Sequence, residues 1–166
     1  GPDLGGSEWL AVMHGRAAGR PPRLDLAAEK SLHAFLAEAA AEGLLRSAHD
    51  LGDGGLAVAL AECCFRGEEP GWGGRFEVGE LPVDASGALS RDDVLLFSET
   101  PSRALVTTVD EPRLRELTAR HGLRWARLGL TGGDRLTITR RGRVVMDSPV
   151  AALHEAWMCL ERVLAG

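Results

Sequence analysis

Lysine is almost missing from this sequence of 166 residues, although basic residues are common. Lys30 is the one lysine among 19 basic side chains, and all the others are arginines. An arginine guanidinium stays protonated in proteins, so it cannot replace lysine as an amine nucleophile. Chemistry based on a lysine nucleophile or a Schiff base is therefore nearly excluded.

Cysteine is also scarce. Cys63 and Cys64 are neighbours in sequence, and Cys159 belongs to a different predicted helix. Adjacent cysteines are poorly placed to pair with each other, and the CxxC spacing of many zinc sites does not occur. We expect no disulfide framework and no cysteine metal site. The three thiols are predicted to be buried, because free cysteine is often a core residue.

Long apolar runs and a strong positive charge are missing too. The longest apolar runs fall far short of the roughly 20 residues that a membrane span needs. The net charge of -5 does not provide the electrostatics of a nucleic-acid-binding protein. The opening residues GPDLGGSEWL do not show the order of regions that is typical of a signal peptide. We expect a cytoplasmic protein that binds neither membranes nor nucleic acid.

The common catalytic signatures are not present. The sequence has no HExxH or HxxxH spacing, no Walker loop and no GxSxG nucleophile elbow. Its histidines are scattered over predicted loops and helices, which argues against a zinc site. No self-contained catalytic machinery, and no metal site, is predicted from the residues alone.

The alternation of helical and strand patterns predicts an α+β fold in which helices cover a mixed sheet. Residues 1–24 are expected to form an irregular lead-in, and residues 25–166 a single domain. Asp25 is a plausible N-cap for the first helix. The predicted helices cover 26–42, 56–65, 111–121 and 150–164. The predicted strands cover 44–50, 75–83, 93–99, 103–109 and 125–130, followed by a hairpin over 135–147 that turns at Arg141 and Gly142.

The first candidate site is HDLGDGG, residues 49–55, which leads into the apolar helix. In a functional interpretation, Asp50 or Asp53 binds a metal-nucleotide or orients a substrate beside His49, and the amides of Gly54 and Gly55 meet an anion at the helix start. In a structural interpretation, Asp53 caps the helix and the glycines admit a close backbone. Two carboxylates in the turn would repel a phosphate, which favours the structural interpretation.

The second candidate is FSETPSR, residues 97–103. Arg103 could bind a phosphate or carboxylate, with the hydroxyl groups of Ser98 and Ser102 donating beside it. Alternatively, Pro101 marks a turn between strands and Glu99 forms a weak surface pair with Arg103. The two interpretations stay open on local grounds.

The third candidate is LGGSE, residues 4–8, in which Gly5, Gly6 and Ser7 could form a phosphate-binding nest. An N-terminal glycine turn is the commoner explanation of such a stretch.

In order along the chain, LGGSEWL, SAHDLGDGGLAVALAE, LFSETPSR and LGLTGGDRLTI resemble the C-terminal domain of the phosphoribosylformylglycinamidine synthases. The resemblance spans residues 4 to about 157. It implies membership of the superfamily that includes aminoimidazole ribonucleotide synthetase, with that superfamily's C-terminal fold. Each motif alone is weak, but four motifs in this order are specific.

The resemblance implies an ATP-dependent amidotransferase of purine biosynthesis that converts formylglycinamide ribonucleotide to its amidine. It implies that ATP and magnesium are bound mainly by preceding N-terminal-type domains of the same chain. It further implies a glutaminase subunit and a small accessory subunit as partners, and a domain that is inactive alone. Residues 99–103 resemble a substrate-binding motif of the family, although Thr100 and Pro101 replace its serine and glutamine.

The resemblance also places His49, Asp50, Asp53, Glu99 and Arg103 at a cleft toward the preceding domain, where some family members hold a structural nucleotide. A free-standing nucleotide-binding or dimerisation module is the alternative from another class. A domain of another synthetase or kinase of the superfamily is a further one.

Overall fold

The computed structural model describes residues 4–67, 69–79, 81 and 91–164. Contacts within the chain divide it into two compact units. Unit 1 comprises residues 1–59 and 82–125, and unit 2 comprises residues 60–81 and 126–166. The division of the chain into a lead-in and one domain therefore stays a prediction. In the described part, no helix is long and apolar enough to span a membrane.

Six helices and eight strands lie in the described ranges. The helices are α1 (Glu8–His14), α2 (Leu26–Ala41), α3 (Gly55–Glu62), α4 (Asp92–Phe97), α5 (Glu111–Arg120) and α6 (Val150–Leu164). The strands are β1 (Leu45–Asp50), β2 (Phe65–Arg66), β3 (Glu69–Pro70), β4 (Gly74–Glu77), β5 (Ala104–Thr108), β6 (Gly129–Thr131), β7 (Arg135–Arg140) and β8 (Arg143–Pro149). The predicted α+β fold with a mixed sheet is confirmed.

The core of unit 1 forms where α2 packs against α5. Its buried members are apolar residues at helical spacing together with the residue that leads into β1: Phe35, Ala39, Leu44, Leu114 and Leu117. Asp25 caps α2, because its side chain accepts the amides of Ala27 and Ala28. The predicted cap and helix are confirmed, and α2 gives unit 1 a firmly packed platform.

Unit 1 also contains a two-stranded antiparallel sheet of β1 and β5. Asp50, the last residue of β1, lies opposite Ala104, the first residue of β5. Because both strands were predicted from sequence, this part of the prediction is confirmed. The register brings the start of HDLGDGG next to the end of FSETPSR, and it thereby joins two motifs that are about a third of the chain apart.

Unit 2 is built on a four-stranded mixed sheet in the order β6-β4-β7-β8. The pair β4 and β7 is parallel, and the other two pairs are antiparallel. Leu136 and Ile138 are fully buried on one face of β7. The predicted hairpin is confirmed, since Arg141 and Gly142 link β7 to β8 with φ of 51° and 75°, the left-handed pair that a tight hairpin turn favours.

The strand predicted over residues 93–99 is wrong, because these residues form α4 and the loop after it. Leu95 and Leu96 are adjacent and both buried. Successive residues of a strand point to opposite faces, whereas one helix can bury two neighbours when elements surround it. A short apolar run does not distinguish the two cases. The sequence also predicts a polar turn over residues 84–92, or a short helical turn over 88–92, and these residues lie largely outside the described ones.

The predicted irregular course of residues 1–24 is also wrong in part, because α1 lies within it. Ser7 caps α1 at its start, and Gly15 ends it with φ of 61°. The helix predicted over 56–65 ends at Glu62, and Phe65 enters the short hairpin of β2 and β3. The predicted strand over 125–130 is shorter and later than expected, at Gly129–Thr131.

The cysteines are only partly as expected. Cys64 is buried and its thiol donates to the carbonyl of Leu60, and burial raises the pKa of this thiol to about 11. Cys63 and Cys159 are exposed, which corrects their predicted burial. Cys63 is exposed because α3 ends before it and the chain turns there.

Candidate functional site

The glycine turn before α3 is determined by a neighbouring backbone. Gly54 and Gly55 have φ of 76° and 63°, a conformation that favours glycine. A Cβ atom at Gly55 would lie 2.5 Å from the carbonyl oxygen of Ser98. The turn therefore packs directly on the loop after α4, which is the close backbone approach that the structural interpretation of HDLGDGG expected.

Asp53 does not cap α3. The helix begins at Gly55, so Gly54 occupies the cap position and has no side chain to offer. The carboxylate of Glu99 accepts the amide of Gly54 instead, at 2.9 Å from Oε1 to N. The prediction that Asp53 caps the helix is therefore corrected, because the helix starts one residue later than that prediction requires.

Glu99 joins the three sequence motifs in unit 1. Its Oε1 accepts the amide of Glu8 at 2.9 Å in addition to that of Gly54. Glu8 opens α1 and belongs to LGGSE, and Gly54 precedes α3 and belongs to HDLGDGG. A carboxylate at a helix N-terminus is favourable because the free N–H groups there carry partial positive charge. One side chain of the chain itself thus takes the place that the functional interpretation assigned to a bound anion.

The residues of the LGGSE motif form hydrogen bonds within unit 1. The hydroxyl of Ser7 donates to the carbonyl of Leu4 at 2.7 Å and accepts the amide of Leu10 at 3.4 Å. The amide of Gly6 donates to the carbonyl of Ala18 at 2.8 Å. A Cβ at Gly19 would lie 2.5 Å from the Cα of Gly5. These contacts make the segment a tightly packed start to α1.

Residues 98–103 form a loop that wraps around its own arginine. The Nε of Arg103 donates to the carbonyl of Thr100 at 2.8 Å, and Nη2 donates to the carbonyl of Ser98. Burial lowers the pKa of Arg103, since desolvation disfavours its charge. In the described part of the chain, Arg103 has no carboxylate partner. The predicted surface pair of Glu99 with Arg103 is therefore wrong: the carboxylate binds helix amides, and the guanidinium binds carbonyls.

Ser102 is held by a residue that the sequence gave no reason to select. Its hydroxyl donates to the carboxylate of Glu29 on α2. Ser102 has φ of 62°, which is uncommon for a residue with a side chain. No local pattern marks Glu29, because it lies 73 positions away and resembles any acidic residue in a first helical turn.

The remaining candidates lie at the end of β1. The Nδ1 of His49 is 2.6 Å from the carbonyl oxygen of Asp50 and 3.7 Å from its carboxylate. The Asp50 side chain is 88% exposed, and Asp53 is exposed as well. Asp50 is adjacent to the loop through the strand register, but no hydrogen bond joins it or Asp53 to Glu99 in the described ranges.

Two buried polar atoms lie on residues next to this junction without a hydrogen-bond partner among the described residues. They are Nε1 of Trp9 and Oγ1 of Thr100. Trp9 follows Glu8 and stacks on Phe97, with the ring centroids 3.8 Å apart. Buried polar atoms are normally paired, and exceptions call for an explanation such as an internal water, an ion or a functional role.

Metal ligands are not assembled here. No group of three or more His, Cys, Asp or Glu side chains with metal-binding geometry occurs in the described part of the chain. Within unit 2, an open cleft of about 620 Å³ is lined by Arg75, Arg127 and residues 128–133. It contains the start of TGGD but none of the candidate site residues.

A comparison with protein families identifies the family to which the chain belongs. The family described as "AIR synthase related protein, C-terminal domain" matches residues 1–140. The chain belongs to this family. The resemblance that was drawn from four short motifs is confirmed, and the family match covers all three motifs that meet at Glu99.

Curated relatives of this AIR synthase related domain are named "Phosphoribosylformylglycinamidine synthase subunit PurL". The protein of Thermobifida fusca is 46% identical over 158 residues, which cover 93% of this chain and 19% of the relative. The protein of Thermomicrobium roseum is 43% identical over 156 residues, with 93% and 20% covered. The chain thus spans about a fifth of the length of these relatives.

Solved structures agree on the fold of the family domain. Thermotoga maritima PurL complexed with ATP superposes with a TM-score of 0.69 at 28% identity, over 79% of this chain and 22% of that one. PurLQS from Thermotoga maritima superposes with a TM-score of 0.68 at 26% identity, over 90% of this chain and 25% of that one. A third structure is titled as PurL complexed with FGAR, with a TM-score of 0.66 at 27% identity over 76% and 21%.

Proposed function

We propose that this chain is the C-terminal domain of the large synthetase subunit of phosphoribosylformylglycinamidine synthase. That enzyme is an ATP- and glutamine-dependent ligase of purine biosynthesis, and it converts formylglycinamide ribonucleotide to formylglycinamidine ribonucleotide. In this proposal the domain is cytoplasmic and inactive alone. It works with preceding N-terminal-type synthetase domains, a glutaminase subunit and a small accessory subunit. The PurL relatives and the length of chain they have beyond the matched part support this assignment.

The observation that carries the proposal is the junction at Glu99. A single carboxylate accepts amides from the starts of α1 and α3, and it therefore gathers three motifs that are separated by up to 91 positions. Unpartnered polar atoms of Trp9 and Thr100 lie on residues beside it. Buried polar atoms without a partner call for an explanation such as an internal water, an ion or a functional role.

Within this proposal, Arg103 binds an anionic group of a substrate or structural nucleotide. Two of its N–H groups donate to loop carbonyls and hold the guanidinium, while Nη1 has no acceptor in the described ranges. Guanidinium N–H groups bind phosphate and carboxylate oxygens well, and burial strengthens such contacts. Glu99, Gly54 and Gly55 then shape the cleft, and His49, Asp50 and Asp53 line its exposed rim.

ATP and magnesium belong to other parts of the enzyme in this proposal. The described residues place no group of three carboxylate, imidazole or thiol ligands together, and they include no Walker loop. They do not fit a magnesium-ATP site of their own. No step of the ATP chemistry is therefore assigned to this domain, whose part is to bind and orient an anion.

A second candidate function is a free-standing module that binds a nucleotide or dimerises without catalysis. The large exposed apolar side chains Val12 and Met13 on α1 favour a partner surface of some kind. Such a module would keep the fold but would not need the rest of a synthase.

The mass of the native polypeptide discriminates the two functions. Extract of the source cells is fractionated, and the band that contains the peptide AHDLGDGGLAVALAE is identified by mass spectrometry. We expect a band several times heavier than 17.7 kDa. A band near 17.7 kDa would contradict the synthase proposal and support the independent module.

Steady-state kinetics of the native polypeptide then tests the role of Arg103. Arg103→Lys keeps the charge but loses the two fixed donors, so the KM for formylglycinamide ribonucleotide or for ATP should rise at least tenfold. Arg135→Lys in unit 2 is the matched control, because Arg135 forms an exposed pair with Asp147. Equal KM values for both variants and the unmodified enzyme would remove Arg103 from the proposed site.

A further inference from the structure

The position of the Arg103 guanidinium depends on the backbone of its own loop. Its two ordered donors go to the carbonyls of Thr100 and Ser98. These carbonyls can meet the guanidinium only while residues 98–103 keep their present curvature. A contact that fixes the backbone of this loop therefore also fixes the position of the Arg103 guanidinium.

Ser102 is the point at which this curvature is strained. It adopts φ of 62°, where a side chain crowds its own backbone. In the described ranges it is one of only two non-glycine residues with a positive φ. A conformation of this kind persists when the surroundings over-determine it. The contact that does so here is the hydrogen bond from the Ser102 hydroxyl to the carboxylate of Glu29.

Glu29 is well suited to hold a loop because its own helix is fixed. It lies in the first turn of α2, directly after the amides that the Asp25 cap accepts. The same helix buries Phe35 and Ala39 in the core of unit 1. The second carboxylate oxygen of Glu29 pairs with His33 at 3.0 Å, and the His33 side chain is 70% exposed. The loop is thus anchored to a helix that contributes to the core of unit 1.

We propose that Glu29 is a positioning residue for the anion-binding role of Arg103: by accepting the Ser102 hydroxyl, it keeps the loop 98–103 closed around the guanidinium. The inference rests on the proposed function for the identity of the anion, a phosphate or carboxylate group of the substrate or nucleotide. The positioning itself depends only on contacts inside unit 1.

Amide hydrogen exchange of residues 98–103 in the native polypeptide tests the positioning. Glu29→Ala removes the acceptor, and the exchange of these amides should become roughly tenfold faster, as expected for the loss of one hydrogen bond to a charged group. Glu29→Gln keeps an acceptor oxygen and should restore most of the protection. His33→Ala removes the other partner of Glu29 and should leave the loop unchanged.

Two substitutions of Ser102 separate the hydroxyl from the backbone. Ser102→Ala keeps the strained φ without its hydrogen bond, whereas Ser102→Gly loses the bond and also the strain. Exchange of the loop should therefore increase more in Ser102→Ala than in Ser102→Gly. Unchanged exchange in both Glu29→Ala and Ser102→Ala overturns the proposal. Ser102→Gly is the control for a general loss of structure, because this variant is expected to keep its fold.

Kinetics of the same variants distinguishes this inference from the proposed function. We expect Glu29→Ala to raise the KM for formylglycinamide ribonucleotide or for ATP several-fold with little change in kcat, because it weakens binding in ground and transition states alike. Glu29→Gln should restore the KM. Faster loop exchange with an unchanged KM would support Glu29 as the residue that positions the loop and contradict the assignment of an anion site to Arg103.

Discussion

Glu99 in unit 1 and Glu77 in unit 2 both accept hydrogen bonds from backbone amides, but they connect different kinds of element. Glu77 accepts the amides of Gly79 and Arg141 at 2.8 Å each, together with the hydroxyl of Thr139 and the amide of Gly142. Glu99 accepts amides from the starts of two helices that are far apart in sequence. Glu77, at the end of β4, thus holds the turn that links β7 to β8, whereas Glu99 joins the starts of two helices.

The groups that surround the carboxylates of Glu77 and Glu99 also differ. The donors around Glu77 lie on β7, in the turn after β7 and just after β4, and they lower its pKa, chiefly through the amide of Arg141. Residues beside Glu99 carry the unpartnered buried atoms of Trp9 and Thr100. Glu77 thus accepts four donors, whereas Glu99 accepts two amides beside buried polar atoms that lack a partner in the described ranges.

The largest effects are expected in the two cores, and they test whether the units are equally stable. Leu117 in unit 1 and Leu136 in unit 2 are both fully buried. Leu117→Ala and Leu136→Ala should each lower the free energy of unfolding by about 3 kcal/mol through lost burial and a residual cavity. Urea denaturation measures the loss, and hydrogen exchange locates it. Leucine to methionine at either position is the control, with a much smaller expected loss.

The next largest effect is expected at Glu99. Glu99→Ala leaves two helix amides without their carboxylate acceptor, and we expect a loss of about 2 kcal/mol. Exchange of the first amides of α1 and α3 should increase together. An increase confined to one of the two helices would contradict the shared junction. Glu99→Gln retains an acceptor oxygen and should lose clearly less than the alanine variant.

A pH-dependent effect is expected at Glu77. Its folded-state pKa lies below the ordinary value of 4.5, because backbone amides favour the charged form. Its contribution is therefore complete above pH 4.5 and is lost as the pH falls through the lower folded-state pKa. Urea unfolding between pH 7 and 3 should show that Glu77→Gln has a shallower acid dependence than the unmodified chain. Parallel pH curves would contradict this account.

The smallest effect is expected at the exposed pair of Arg135 and Asp147. Their charged groups are 2.9 Å apart, with side chains 46% and 41% exposed. Exposed pairs contribute little, because solvent and salt screen them. Asp147→Asn should leave the thermal midpoint unchanged within measurement error. A clear decrease would mean that the stability of unit 2 also depends on electrostatic contacts other than those of Glu77.

Much of the fold could be predicted because its signals are local. The cap at Asp25, the helical spacing of α2 and the turn at Arg141 and Gly142 each follow from a few neighbouring residues. The strand predicted over 93–99 failed because its apolar run has no period that separates helix from strand. The helix α1 was missed because its cap, Ser7, follows two glycines that read as a turn.

The candidate site was predictable as a set of motifs but not as an arrangement. The sequence indicated HDLGDGG, FSETPSR and LGGSE as places of interest, and the three meet at one carboxylate. Two partner choices within them were wrong: the pair of Glu99 with Arg103, which was one of two open alternatives, and the cap of Asp53 at the helix start. Partner choice depends on distances between segments, which spacing along one segment does not contain.

By itself, the sequence determined the family, the α+β class and the positions where the backbone must turn, because propensity, capping and glycine conformations are properties of a few adjacent residues. Only the tertiary structure decided that Glu99 replaces an external anion at two helix starts and that Glu29 supports Ser102. Both contacts join residues more than 40 positions apart. Such contacts exist only after the helices have packed, because packing alone brings a particular acceptor within reach of a particular donor.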